Sequence, residues 1–413
     1  MANKELKVGN VPNLRFPGFE GQWKAKKLGE IAAIGRGKSK HRPRDAEFLF
    51  GGRYPFIQTG DIRKADLYLT KFTQTYSEAG LKQSKLWDEN TLCITIAANI
   101  AETAILKIKA CFPDSVIGLI PKQDQAIVLF VKHLFDKFKV EIQNLSQGAA
   151  QDNLNQEKIS KIQFSFPSIV EQGKIASFLS IIDERITTQN KIIEQLETLI
   201  KGLSEKLFSQ KIRFKEFKDE WELKSLGEIG EPFSGLSGKT KDNFGKGKRY
   251  IQYKQIFDSS IVQIENCGLV EILENESQNN VRYGDAFFTI SSETPDEIGM
   301  SSVILEEISE MYLNSFCFGF RAFSLQTLNP LFASYLFRNL VFRKQIVRLA
   351  QGSTRYNISK GGLMKLTILL PCLEEQIIMA QFLSSIDKKI QIEKKMLDKF
   401  HFQKQHFLQN LFI

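Results

Sequence analysis

The sequence predicts an α+β protein: two globular α/β domains held apart by two long helices that pair as an antiparallel coiled coil, with pseudo-two-fold symmetry. Three observations predict it. The chain states one frame twice, two heptad runs recur at a fixed offset, and the blocks between them mix β-rich segments with amphipathic helical ones. The boundaries read as 1–167 for the first globular domain, 168–210 for the first spacer helix, 211–371 for the second domain and 372–413 for the second helix.

The frame opens with Arg15-Phe16, Phe19, Trp23, Lys26 and Leu28-Gly29-Glu30-Ile31. It returns 198 residues later as Arg213-Phe214, Phe217, Trp221, Lys224 and Leu226-Gly227-Glu228-Ile229. It closes at a second offset, 204. Leu145, Gln147, Gly148 and Asn153 return as Leu349, Gln351, Gly352 and Asn357. Likewise Pro167, Glu171-Gln172, Ala176, Phe178-Leu179-Ser180, Ile182-Asp183 and Ile186 return as Pro371, Glu375-Gln376, Ala380, Phe382-Leu383-Ser384, Ile386-Asp387 and Ile390. The interiors between the matched blocks barely resemble each other. A shared frame around unlike interiors suggests two readers of different things.

Each globular block should be a mixed domain of about 145 residues. Leu92–Ile96, Ile105–Ile108, Phe287–Ile290 and Leu366–Leu370 read as strands. Ile127–Val140 and Pro330–Leu349 are apolar at helical spacing and read as core helices.

The spacer helices follow from periodicity. Ile175, Leu179, Ile182, Ile186, Gln189, Ile193, Leu196, Ile200, Leu203 and Leu207 alternate steps of four and three. Met379, Leu383, Ile386, Ile390, Glu393, Leu397, Phe400, Lys404, Phe407 and Leu411 repeat that seam, so the polar break at Gln189 recurs as Glu393. A strict seven-residue repeat calls for a left-handed supercoil, and a polar core position fixes its register. The seam spans roughly 50 Å at 1.5 Å per residue, which would set two domains more than one turn apart on B-DNA.

Candidate binding residues cluster early in each block. Arg36, Lys38, Lys40, Arg42 and Arg44 place five fixed positive charges in nine residues, with glycine and proline keeping the segment a loop. The second block offers Lys239 and Lys241, then Lys246, Lys248 and Arg249. With a formal net charge of +9, these point to phosphate contacts. Gln58 and Thr59 follow the first loop as Gln252 and Tyr253 follow the second, and amide and hydroxyl groups beside a cationic rim suit base-edge reading. Gly148 and Gly352 should supply positive-φ turns before the last strand of each block, and Ser353, Thr354, Arg355 and Tyr356 offer a polar loop to DNA.

Other chemistry is excluded. Gly238-Lys239-Thr240 lacks the glycine a phosphate-binding loop needs five positions earlier, where Phe233 stands. Asn329-Pro330-Leu331-Phe332 lacks the second proline of the amino-methyltransferase signature and should cap the following helix. Pro113-Asp114 and Pro295-Asp296 are not followed by the acid-x-Lys pair of a metal-dependent nuclease. The four histidines (His41, His133, His401, His406) form no metal or triad pattern. The five cysteines show no C-x-x-C pair and read as thiols in a reducing compartment. With no apolar signal region in Met1–Asn10 and no long apolar window, the expectation is a soluble, cytoplasmic, non-catalytic chain with no membrane contact and no metal or cofactor of its own.

These residues resemble the specificity (S) subunit of type I restriction-modification systems. The resemblance rests on Pro12-Asn13-Leu14-Arg15-Phe16-Pro17-Gly18-Phe19, on Trp23 and Leu28-Gly29-Glu30-Ile31 with their repeat, and on Pro167 and Glu171-Gln172 with Pro371 and Glu374-Glu375-Gln376. It covers essentially the whole chain in the family's order: reader, helix, reader, helix. The resemblance implies that each globular block is a target recognition domain reading one half of a bipartite, asymmetric double-stranded DNA site. The helices would set the spacer and dock two methyltransferase (M) subunits, with restriction/translocase (R) subunits joining the larger assembly. S-adenosylmethionine, ATP and Mg²⁺ would belong to those partners. Arg355-Tyr356 and Gln151-Asp152 differ at aligned positions, so no shared base-contacting role carries over for that turn. The competing readings are a two-domain DNA-binding adaptor or repressor that self-associates through its helical pair, and a fused restriction-methylation enzyme, which the missing motifs oppose.

Overall fold

The computed structural model describes residues 10–97, 99–146, 154–352 and 354–413. The chain divides into two compact units, residues 1–192 with 393–413, and residues 193–392. Neither boundary coincides with an end of a globular block: both fall inside a long helix. Those helices are Ile169–Phe208 and Leu373–Leu411.

In the first unit a five-stranded sheet runs in the order Ala32–Arg36, Val116–Pro121, Leu92–Thr95, Thr103–Leu106, Tyr68–Leu69. All neighbours are antiparallel except the last pair. Leu92–Thr95 and Thr103–Leu106 are buried on both faces, which is why they read as continuous apolar runs rather than alternating ones. The strand expected at Ile105–Ile108 lies slightly earlier, at Thr103–Leu106. A two-stranded antiparallel ribbon of Phe50–Phe56 and Gln74–Tyr76 belongs to the same unit, and the helix Val128–Lys137 packs Phe130, Val131, Leu134 and Phe135 into the core.

The second unit has a four-stranded antiparallel sheet in the order Gly230–Ser234, Cys317–Ala322, Ala286–Thr289, Ser301–Val303. A three-stranded sheet joins Gly268–Val270, Phe244–Ile251 and Met311–Leu313, the last pair parallel. Its core is aromatic, with Phe288, Phe318, Phe320, Phe332, Phe337 and Phe342 buried together. The single helix expected at Pro330–Leu349 is two, Pro330–Leu336 and Leu340–Arg348. Asn339 causes the break. Its amide donates to Leu336 O at 2.6 Å and its Oδ1 accepts from Phe342 N at 3.0 Å, ending one helix and capping the next. Asn329 caps the first of the pair as expected, accepting from Phe332 N at 3.0 Å with Pro330 at the first helical position.

The repeated frame has a structural meaning in each unit. The opening strand Lys24–Lys27 pairs antiparallel with the closing strand Gln163–Phe166, and Glu222–Ser225 pairs with Thr367–Leu370 in the same way. The segments repeated at offset 198 and at offset 204 thus meet in one ribbon per unit. Arg15 donates twice to Glu171, at 2.8 Å from Nε and 2.8 Å from Nη2, and Arg213 does so to Glu375 at 2.8 and 2.7 Å. Gln172 Oε1 accepts from Ile127 N (3.1 Å) while its amide donates to Pro167 O (3.1 Å); Gln376 makes the matching bonds with Asn329 N (2.9 Å) and Pro371 O (3.0 Å). The repeated Glu-Gln pair therefore locks the start of each long helix to the opening motif on one side and to a core helix on the other.

The heptad positions are placed unit by unit. In the first, Phe178 meets Phe407 edge-on with centroids 4.8 Å apart, and Gln189 donates to the backbone carbonyl of Glu393 at 3.1 Å and to its carboxylate. Residue numbers thus rise along one segment as they fall along the other, so the two run antiparallel. Ile175, Leu179, Ile182, Ile186 and Gln189 are buried, with Leu397 and Phe400 half-buried against the same core. In the second unit Leu207, Met379 and Leu383 are buried in one core with Ile200 and Leu203 packed on it. Ile193 and Ile390 are buried, and Leu196, Ile386 and Glu393 are half-buried. No seam position is exposed.

Candidate nucleic-acid interface

The first basic segment leaves the edge strand Ala32–Arg36 and runs as a loop toward the strand Phe50–Phe56. Its five cations are not equivalent. Arg36 Nε donates to the carbonyl of Asp114, and Arg44 Nη2 pairs with the Asp114 carboxylate at 2.8 Å, so one residue steadies both ends of the loop. Arg42 folds back on its own loop, donating to the carbonyls of Ser39 and His41 at 2.8 Å each. Lys38 and Lys40 are exposed, with no carboxylate partner among the described residues. These two are the freest to meet phosphate.

Beside the loop lies an open cleft of about 730 Å³, whose polar lining is Ser39, Arg44, Asp45, Glu47, Gln58, Thr59, Gln74 and Ser115 and whose aromatic lining is Phe50, Phe56 and Tyr76. Phe56 and Tyr76 stack at 4.0 Å, giving the cleft a rigid aromatic floor. Gln58 caps the short helix Thr59–Lys64, and Asp61 reaches back to accept from its backbone N–H at 2.9 Å. The structure thus brings Arg44, Gln58 and Thr59 together around one concavity. It adds Gln74, which sequence reading missed. Gln74 stands opposite Phe56 in the strand register, a juxtaposition that no local motif encodes.

Gln252 corresponds to Gln58: it caps the helix Tyr253–Asp258 at the end of the strand Phe244–Ile251. Its surroundings differ. Its amide meets Tyr250 Oη at 3.5 Å, and Tyr253 donates to Ser291 O at 2.7 Å. Ser291–Ser292 pairs with Tyr356–Asn357, so Tyr253, Arg355 and Tyr356 share one side of this unit. Gly352 has φ +127 and a Cβ there would lie 2.1 Å from Arg355 O, so only glycine fits the turn. Gln147, Gly148, Gln151, Asp152, Asn153 and Ser353 lie outside the described residues.

The second set of cations is largely paired. Lys239 has a side chain only 4% exposed and is bound to Glu276, whose carboxyl that bond holds below its usual range. It serves as a structural tie and has no free ammonium to offer phosphate. Lys246 meets Glu271 at 3.0 Å, Lys248 meets Glu310 at 2.6 Å, and Arg249 donates to Ile264 O at 2.6 Å. Exposed pairs of this kind contribute about 0–1 kcal/mol, so Lys246 and Lys248 can exchange a glutamate for a phosphate at little cost. Lys241 is exposed. Sequence reading could not see these glutamates, which lie 25 to 62 residues from their partners.

The comparisons with known proteins bear on the whole chain. The family model of the Type I restriction modification DNA specificity domain matches residues 20–198 and again 218–400. The chain belongs to that family. A curated relative, the type I restriction enzyme MjaVIII specificity subunit of Methanocaldococcus jannaschii, is 26% identical over 411 residues, covering 95% of this chain and 92% of its own. The MjaIX specificity subunit of the same organism is 26% identical over 259 residues, 58% of this chain and 57% of its own. Among solved structures, the type I restriction-modification S subunit from M. genitalium superposes with a TM-score of 0.61 at 17% identity, covering 98% of this chain and 99% of that one. A chain from a study of complex assembly and conformational transition of the type I R-M system gives a TM-score of 0.58 at 14% identity, with 96% and 98% covered. The fold is therefore that of the specificity subunits, and the two family matches begin 198 residues apart, the offset of the opening frame.

One expectation follows for the specificity subunit's first loop. Replacing Lys38 and Lys40 with alanine should weaken binding to every DNA sequence and lower the slope of log affinity against log salt by about one per lysine. Arg42→Ala should act less on the slope, because its guanidinium is already spent on loop carbonyls. Binding isotherms at several salt concentrations check this; an unchanged slope in the double variant would mark the loop as a solvated face.

Proposed function

We propose that this chain is the DNA-reading, non-catalytic member of a type I restriction-modification complex, working in the cytoplasm. Each globular block acts as a target recognition domain for one half of a bipartite, asymmetric site. The paired helices set the unread spacer and dock two methyltransferase subunits, and restriction/translocase subunits join that assembly. S-adenosylmethionine, ATP and Mg²⁺ are held by those partners. The observation that carries the reading is the combination of one frame with unlike surroundings at equivalent points. Gln58 and Gln252 cap equivalent helices, yet one faces Gln74 across an aromatic floor and the other meets Tyr250. A conserved geometry presenting different chemistry at the same point is what two readers of different half-sites require.

Five thiols are free, and no helix among the described residues is long and apolar enough to cross a membrane. The test is to sequence modified bases in cells carrying this chain with a methyltransferase partner. A two-part asymmetric motif with a constant gap is expected, absent when the chain is absent. Methyl transfer by the purified chain alone, or a methylation pattern that ignores its presence, would overturn the reading.

A further inference from the structure

We infer that Gln58 and Gln74 form the base-reading pair of the first domain and that together they select adenine. This rests on the DNA-reading function proposed above and names the residues and the base. Gln58 Nε2 donates to Gln74 Oε1 at 2.6 Å across the mouth of the cleft. That bond uses one amide hydrogen of Gln58 and one lone pair of Gln74. The Gln58 carbonyl faces the Asp61 backbone N–H in the capping box, which leaves its second lone pair as an acceptor, and the Gln74 NH₂ remains a donor. An acceptor and a donor are thus carried by two side chains joined through one hydrogen bond. Adenine presents the complement in the major groove, an N7 acceptor next to an N6 amino donor. Guanine presents two acceptors there, and the Gln58 carbonyl would face one of them unpaired.

The pair is also preorganised. Gln58 is fixed by the Asp61 cap, and Thr73 hydroxyl reaches the same Asp61 carboxylate at 3.4 Å, tying the residue before Gln74 to the helix that Gln58 begins. Glutamine is a flexible side chain, and ordering it before contact removes most of the entropy cost of binding. Arg44 lines the same cleft. At the equivalent point of the second domain Gln252 meets a tyrosine hydroxyl, and among the described residues it has no glutamine partner.

The experiment is selection of bound duplexes from a randomised library by the full chain assembled with its methyltransferase, comparing wild type with Gln74→Glu and Gln58→Ala. Glutamate accepts from the cytosine N4 amino group but offers N7 no hydrogen. Gln74→Glu should therefore lower preference for adenine at one position of one half-site by about 5- to 150-fold and raise cytosine there, leaving the other half and the gap unchanged. Gln58→Ala should relax the same position without creating a new preference. Both side chains stand at a cleft mouth, and circular dichroism checks that each variant is folded. An unchanged motif in both variants overturns the inference alone. So does a uniform loss of affinity with the motif intact, or a change spread over both halves. If the wild-type assembly enriches no two-part motif, the functional reading itself falls and this inference with it.

Discussion

Lys404→Ala should destabilise the first unit by about 3–5 kcal/mol, the typical cost of removing one partner from a buried ion cluster. Lys404 occupies a seam position of the second long helix, where an apolar residue would be expected. It lies 2.7 Å from Asp183 on the first long helix and 3.1 Å from Asp136 at the end of the helix Val128–Lys137. Lys132 closes on Asp136 at 2.5 Å, and His133, fully buried, has Asp136 and Asp183 each at 3.8 Å. Taking away the ammonium strands Asp183, one of whose oxygens already lacks a hydrogen-bond partner. Lys404→Met should be nearly as harmful. The double variant Lys404→Met with Asp183→Leu should recover most of the loss, because a buried pair exchanged for packed apolar groups is often neutral. Denaturant midpoints followed by tryptophan fluorescence check this. Trp23 and Trp87 report the first unit, and the transition seen through Trp221 should stay where it is. A single-variant loss below about 1 kcal/mol would place the cluster among weak surface-like pairs.

The same cluster sets a pH dependence. Burial holds the His133 imidazole below its ordinary 6.5 despite the two carboxylates, so the unfolded chain takes up a proton below pH 6.5 that the folded chain refuses, and stability falls. Burial pushes the Asp136 carboxyl up, but Lys132, His133 and Lys404 outweigh it and hold the group well below 3.8. Its contribution is present above pH 3.8 and is lost as pH falls through the folded value. Lys404 is raised above 10.5, since Asp136 and Asp183 outweigh the opposing effect of burial; its contribution is full below pH 10.5 and lost as pH climbs through the folded value. The stability plateau of the first unit should therefore lie between about pH 6.5 and 10.5, and Lys404→Ala should remove its alkaline edge.

The second large effect concerns the paired clamps. Arg15→Ala and Arg213→Ala each leave a buried carboxylate without its bidentate partner, at a cost of about 3–5 kcal/mol. The two should not be equal. Glu375 still accepts from Trp221 Nε1 at 3.1 Å, whereas the equivalent Trp23 Nε1 is buried without a partner and gives Glu171 nothing. Arg15→Ala should therefore be the more damaging by about 1 kcal/mol, the net worth of one such bond. Thermal or denaturant unfolding of both variants decides it, and equal losses would mean that the indole bond contributes nothing. Arg→Lys at either position keeps the charge but loses the fork, and should fall between wild type and alanine.

What the sequence made legible was whatever repeats or is periodic. The heptad spacing located every seam position on a buried or half-buried face because a helix converts spacing directly into direction. The offsets of 198 and 204 marked segments that prove to be ribbon partners, since Lys24 faces Phe166 as Glu222 faces Leu370. Asn329-Pro330 was readable as a cap because capping is local. What stayed hidden were partners distant along the chain. Asn339 looked like a polar residue within one amphipathic helix until its amide was seen to close two. The glutamates that occupy Lys239, Lys246 and Lys248, and the strand register that sets Gln74 opposite Phe56 and within reach of Gln58, depend on tertiary pairing that no window of sequence contains.

The composition of the first unit bears on how the chain is made. Its core includes Leu408, Leu411 and Phe412, with Phe412 against both Trp23 and Phe130. The second unit is one uninterrupted stretch, 193–392, and can close as soon as that stretch has left the ribosome. The block synthesised first is thus completed after the second, because its core waits for Leu408, Leu411 and Phe412. A translation product broken off before Leu408 would carry a complete second unit and an unsealed first one.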